Sequence, residues 1–304
     1  MEIKFWGVRG SIPCPGPDTV KYGGNTSCIE VRFPEIDRLI IIDSGSGIRE
    51  LGNHIVAHDM PRGPFSSELF LTHTHWDHIS GFPFLAPIYI AGTELKIYGP
   101  VTFEEDTLEE IVGGQLAYRY FPVREAELAA RVNYIHLKEE RLDLNDGIIV
   151  TTKYLNHPIC CLGYRIEYRD QVFCTAYDTE PYQNLFCTDP GDPSYDETIA
   201  REGALVANEE NGRLEKFVAD ADLVVHDAQY TAAEYEHDKI GWGHTSIEHA
   251  VAMARRNRIK RLALFHHDPL RTDRQLDELS QTYCQQDTGE VEVFFAREGM
   301  QITI

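Results

Sequence analysis

The segment His73-Thr74-His75-Trp76-Asp77-His78 follows the apolar run Glu68-Leu69-Phe70-Leu71 after the single residue Thr72, so four side chains able to bind a metal leave one strand end within six positions. On an extended segment alternate side chains share a face, which puts His73, His75 and Asp77 on one side. A turn at Asp77-His78 brings the remaining groups inward. Imidazole nitrogens and a carboxylate suit zinc, manganese or iron. A single histidine here would read as a surface or satisfied core residue; three histidines and one aspartate packed this tightly behind a strand read as half of a two-metal site.

His73-x-His75-x-Asp77-His78-x-x-Gly81 resembles the signature of the metallo-β-lactamase superfamily of hydrolases. The resemblance implies an α/β fold, a four-layer αββα sandwich spanning residues 1–304 as one domain. It also implies further ligands at later strand ends. Tyr154-Leu155-Asn156-His157-Pro158 closes the alternating strand Ile148 to Tyr154, which makes His157 the third ligand of the first metal. Phe173 to Thr179 is a short apolar strand similar to the Gly-Asp-Thr element of the phosphodiester-cleaving branch, with Tyr177 where Gly is usual, and Asp178 is then the bridging carboxylate. Arg261 to Pro269 ends in two histidines, of which His266 is the expected ligand and His267 the alternative. The resemblance thus sets His73, His75 and His157 on one metal and Asp77, His78 and His266 on the other, with Asp178 and a hydroxide between them.

Other segments match the same branch. Asp43 ends the strand Leu39 to Ile42 and is expected behind the ligands, orienting a histidine ring; capping the helix Ile48 to His58 is its alternative role. Asp227, after Asp222 to His226, is expected in a similar supporting place. His244 precedes Thr245 and Glu248, whose spacing is that of a capping box opening a helix with Ala250, Val251 and Ala254 on one stripe. The resemblance makes His244 the general acid and gives Asp77 a part in orienting or deprotonating the attacking water. Arg9, Asn25 and Trp242 are candidate substrate contacts, with Phe82 and Phe84 as further pocket aromatics. Gly45-Ser46-Gly47 lacks the following Lys of a phosphate loop.

The net charge of −21, from 49 acidic against 28 basic residues, bears on substrate class. Nucleic-acid binding draws most of its affinity from phosphate neutralisation by Lys and Arg, so extended nucleic acid is disfavoured and a small phosphodiester, a cyclic nucleotide or a sugar cyclic phosphate, is expected. The basic run Arg255 to Arg261 fits the end of the helix begun near Thr245, where cations suit the negative dipole end. Two divalent ions are the implied cofactors, zinc first, with manganese or iron as alternatives. The rival readings are a ribonuclease of the transfer-RNA 3′-processing type, a thioester, lactone or β-lactam hydrolase, a di-iron redox protein, and a non-catalytic metal-binding regulator. Asp rather than Cys at 178 speaks against a lactamase, and His75 against the redox subgroup.

No Pro/Gly/Ser-rich linker divides the 304 residues. Residues 101–131 read as mainly helical, and 181–216 as the loop-rich part. No apolar run approaches the roughly 18 residues of a membrane span, and a soluble cytoplasmic protein, compatible with a homo-oligomer, is expected. Seven cysteines without a Cys-x-x-Cys read as reduced, with Cys14 and Cys160 near the site in sequence only.

Overall fold

The residues described by a computed structural model, 1–101, 106–284 and 291–304, pair into two mixed seven-stranded sheets. The first holds β1 (Glu2–Gly7), β2 (Cys28–Phe33), β3 (Arg38–Ile42), β4 (Ser66–Phe70), β5 (Glu94–Pro100) and β6 (Arg131–Leu137). The second holds β7 (Arg141–Asp143), β8 (Ile148–Leu155), β9 (Cys161–Tyr168), β10 (Gln171–Ala176), β11 (Leu223–Asp227), β12 (Arg261–Phe265) and β13 (Glu292–Phe295), after which β14 (Gln301–Thr303) returns to the free edge of β1. Strands β3 to β6 run parallel, as do β10 to β13, while β1 to β3 and β7 to β10 pair antiparallel.

The pleat explains the layers. Along β3, Ile40 and Ile42 face the core between the sheets while Leu39 and Ile41 face outward; along β12, Ala263 and Phe265 face in and Leu262 and Leu264 out. Strands apolar on both faces must be covered on both. Over the first sheet lie α1 (Ile48–His58), the single turn α2 (Trp76–Ile79) and α3 (Leu108–Val112). Over the second lie α4 (Glu197–Val218), α6 (Ile247–Arg256) and α7 (Asp273–Tyr283), with α5 (Ala232–Asp238) against α6. The result is the four-layer αββα sandwich, and no helix among the described residues is long and apolar enough to cross a membrane.

Four local expectations fail. The alternation after β4 does not run to Asp77, because His75 is the N-cap of α2 and Asp77 and His78 turn inward on that helix. Residues 101–131 hold only α3 and two 3₁₀ turns among otherwise irregular backbone, residues 102–105 lying outside the described part. Within 181–216 the long α4 begins at Glu197, capped by Asp196, whose carboxylate accepts from the amides of Thr198 and Ile199. Its buried stripe is mostly small, with Ala200, Gly203 and Ala207 ahead of Leu214 and Val218, so apolar periodicity is weak in the sequence. The N-cap of α6 is Ser246, accepting from His249 N, whereas Thr245 Oγ1 donates to Thr179 O and Glu248 bonds Ala232 N and Tyr283.

Candidate metal centre

The proposed ligands leave the carboxyl ends of strands from both sheets, where open α/β sheets place their binding crevices. His73 follows β4 after two residues, His157 follows β8, Asp178 follows β10 and His266 follows β12. Three residues at these ends, Asp43, Asp178 and His266, hold left-handed backbone with φ of 60°, 55° and 60°. That conformation costs a non-glycine residue of order 1 kcal/mol and turns each side chain across the crevice instead of along the pleat.

Two groups of four result. His73, His75, His157 and Asp178 present one ligand atom each within 4.8 Å of one another, and so do Asp77, His78, Asp178 and His266. Asp178 is common to both: its Oδ2 lies 3.3 Å from His78 Nε2 and 3.7 Å from His73 Nε2, and its Oδ1 3.3 Å from His266 Nε2. Asp77 Oδ2 is 3.2 Å from His78 Nε2 and 3.1 Å from His266 Nε2, and it accepts from the amide of Ser11 at 2.7 Å. His73 Nε2, His78 Nε2 and Asp178 Oδ1 are buried with no hydrogen-bond partner. Orphaned buried polar atoms cost roughly 1–3 kcal/mol each, and these all point into the same two clusters. A nitrogen and oxygen donor set of this size fits a pair of divalent ions such as zinc, manganese or iron.

The electrostatics agree with that fit except at His78, whose ring carries the positive charge that the surrounding carboxylates demand in place of a cation. Burial holds His73 well below its ordinary value and His157 down at about 4, leaving both rings neutral near pH 7 with a lone pair to donate. Burial opposes the ionised form of Asp178, yet His266, His78 and His73 around it hold its carboxyl well below the usual carboxylate range. Burial likewise opposes protonation of His78, which the carboxylates of Asp178, Asp77 and Asp43 outweigh.

Asp43 does not cap α1, whose N-cap is Gly47. It is fully buried, accepting from Thr72 N at 2.7 Å, from Ser27 Oγ at 3.0 Å and from Thr72 Oγ1, and its Oδ2 lies 2.7 Å from His78 Nδ1. That contact leaves His78 Nε2 for the cluster. Asp227 does the same for His244, with Oδ2 2.7 Å from Nδ1, and also accepts from the amides of Asp178, Gln229 and Thr245. Burial would lower His244, but Asp227 overrides it and pushes the imidazolium up to about 9. The His244 ring stacks 4.9 Å from that of His266.

His267 stands apart from both clusters: its Nε2 bonds Ala296 O at 2.8 Å and its ring packs on Phe295. Arg9 needs correcting. Arg9 is 0% exposed, and its guanidinium donates to the carbonyls of Gly23, Asp268 and Arg271, so it ties loops together and cannot reach a substrate phosphate. Asn25 donates from Nδ2 to Glu298 and accepts from Ser46 Oγ at its Oδ1. Trp242 is 56% exposed at the rim with Lys239 Nζ 4.3 Å from its ring centre, Phe82 is core, and Phe84 is exposed against Phe121. Cys161, not Cys160, approaches the ligands, its Sγ 3.7 Å from His73 Nδ1. Thr72 and Ser11 also bond the carboxylates of the site, and nothing in their residue types or spacing marks them.

No protein-family model matches the chain. Ribonuclease Z of Lactococcus lactis subsp. cremoris is 26% identical over 301 residues, covering 88% of this chain and 88% of that protein. The metallo-β-lactamase fold protein YhfI from Bacillus subtilis superposes with a TM-score of 0.63 at 17% identity, covering 99% of this chain and 98% of that one. The short form of human tRNase Z gives 0.61 at 20% identity over 100% and 99%. The paired clusters of this chain would allow two divalent metals. Sequence, fold and ligand geometry converge on one conclusion: this chain has the metallo-β-lactamase fold, and it is similar to the metal-dependent hydrolases of the phosphodiester-cleaving branch that share it.

Proposed function

We propose that the chain hydrolyses a phosphodiester, a reading carried by one observation: two four-residue groups meet at the buried carboxylate of Asp178 with the His244–Asp227 pair beside them. Two divalent ions held there, zinc being the first candidate, would acidify a water and stabilise charge developing on the phosphoryl oxygens. The remaining chemistry belongs to side chains. Asp227 keeps His244 protonated and fixes its Nδ1, so Nε2 is free to protonate the leaving alkoxide. Asp77, held by Ser11 N, orients the attacking water.

The relatives and the charge pull the substrate in different directions. A relative named Ribonuclease Z that spans 88% of both chains supports an RNA substrate of the transfer-RNA 3′-processing kind, against the expectation that extended nucleic acid is disfavoured. Net charge of −21 supports a small diester, as does the pairing of nearby cations: Arg271 is bound to Glu234, and Lys239 stands 3.4 Å from Asp238. The end-to-end similarity to the ribonuclease is the stronger support, because net charge averages over surfaces that no substrate touches. The test is turnover of bis(p-nitrophenyl) phosphate, 3′,5′-cyclic AMP, a ribose 1,2-cyclic phosphate and a precursor transfer RNA with a 3′ trailer, with His75→Ala as control. Trailer removal lost in the control supports the RNA reading; cyclic-diester turnover alone supports the small substrate. Turnover of none of them, or of a thioester instead, overturns the proposal.

A further inference from the structure

Glu180, two residues beyond Asp178, is only 5% exposed, and neutral donors converge on its carboxylate. Tyr235 of α5 donates its hydroxyl to Oε1 at 2.6 Å, Gly241 N reaches both oxygens at 2.8 and 3.0 Å, and Gly243 N reaches Oε2 at 2.9 Å. A buried carboxylate is costly unless its lone pairs are filled, and charge-assisted bonds of this kind are the strong ones. Gly241 and Gly243 have φ of 86° and 79°, which turns their N–H groups toward one point. Such a concavity of amides is an anion site, and the anion here is the chain's own side chain.

The loop so closed delivers two things to the site. Gly243 O lies 3.0 Å from His157 Nδ1, which requires the proton on that nitrogen and leaves Nε2 for the cluster. Its fit to the ring is close, since a Cβ on Gly243 would sit 2.4 Å from His157 Nδ1. The next residue is His244. Glu180 also holds the other side of His157, its amide donating to Asn156 O at 2.9 Å.

We infer that Glu180 is a positioning residue: it locks the loop of residues 239–243 against the ring of His157, fixing that ligand's tautomer and the entry of His244, with Tyr235 making α5 part of the same clip. The activity arm of the test rests on the phosphodiesterase reading, whereas the binding arm does not. Glu180→Gln sets an amide donor against amide donors. Zinc calorimetry should show one of two sites weakened by about 10- to 100-fold, the usual effect of losing an outer partner of a ligand, with kcat reduced and KM little changed. In the zinc-loaded protein the downfield proton resonance of His157 Nδ1 should broaden or vanish. Tyr235→Phe, which removes one donor of three, should have a smaller effect of the same sign. A Glu180→Gln protein that melts earlier but keeps both zinc affinities and the His157 resonance overturns the inference. Should that variant not fold, Gly241→Ala loosens the loop through its positive φ alone, its Cβ meeting open space, and unchanged zinc affinity there overturns it equally. A wild-type protein that binds two zinc ions yet cleaves no diester removes the proposed function and leaves the calorimetric and resonance tests of Glu180 standing.

Discussion

Asp43 gathers Thr72, Ser27 and His78 around one buried carboxylate. Asp43→Asn should therefore keep the fold while weakening metal binding by about 10- to 100-fold, measured as zinc affinity and content after dialysis. His244 titrates on the other side of the centre. As a proton donor it is competent below its pKa, so kcat should fall as pH rises toward about 9, and bound cations will move that limb to lower pH. Asp227→Asn removes the charge that raises it and should shift the alkaline limb further toward neutrality; a pH profile of kcat for both proteins decides. The clustered ligands were legible because few residue types bind these metals and the strand ends could be read. Arg9 misled because a sequence shows a charge but not the carbonyls of Gly23, Asp268 and Arg271 that consume it.

Helix α6 shows what one residue of register means for an element. Ser246 caps it, so Ser246→Ala should cost about 1 kcal/mol in urea unfolding. The same helix carries His249, which burial, with His226 and Arg256 adding to it, pushes down to about 4. The unfolded chain accepts a proton near 6.5 and the folded one only near 4, so this contribution to stability is intact above the unfolded value and shrinks as pH falls between the two. The total is about 3 kcal/mol, and His249→Gln should flatten the acid side of stability measured from pH 7 to 4.5. Helix α1 could be bounded at Ile48 and His58 from its apolar stripe, buried as Ile48, Leu51 and Ile55. Helix α4 could not, because Asn208 to Gly212 look like a loop; in the fold Asn211 serves the chain beside the helix, exchanging two hydrogen bonds with the backbone of Tyr182.

The molecule as a whole is two similar sheets, each with a parallel half, packed over one core. The sandwich was implied by the family resemblance that the ligand motif carries, whereas the register that brings Asp178 opposite His73 and His266 depends on inter-sheet packing that no local stretch encodes. Tyr177 illustrates this: standing where Gly is usual, it is fully buried against Phe265 between the sheets. The division of the ligands carries a further consequence. Each cluster takes two residues from the first half of the chain and two from the second: His73 and His75 with His157 and Asp178, and Asp77 and His78 with Asp178 and His266. These residues would hold a metal ion between the two sheets, so that separating the sheets would break its coordination. Zinc at a hundredfold excess over its dissociation constant should then add about 2.7 kcal/mol per site to global unfolding. Hydrogen exchange should slow in β3 and β12 alike; protection confined to the loops around the ligands would mean that the two halves can separate with the metal still held.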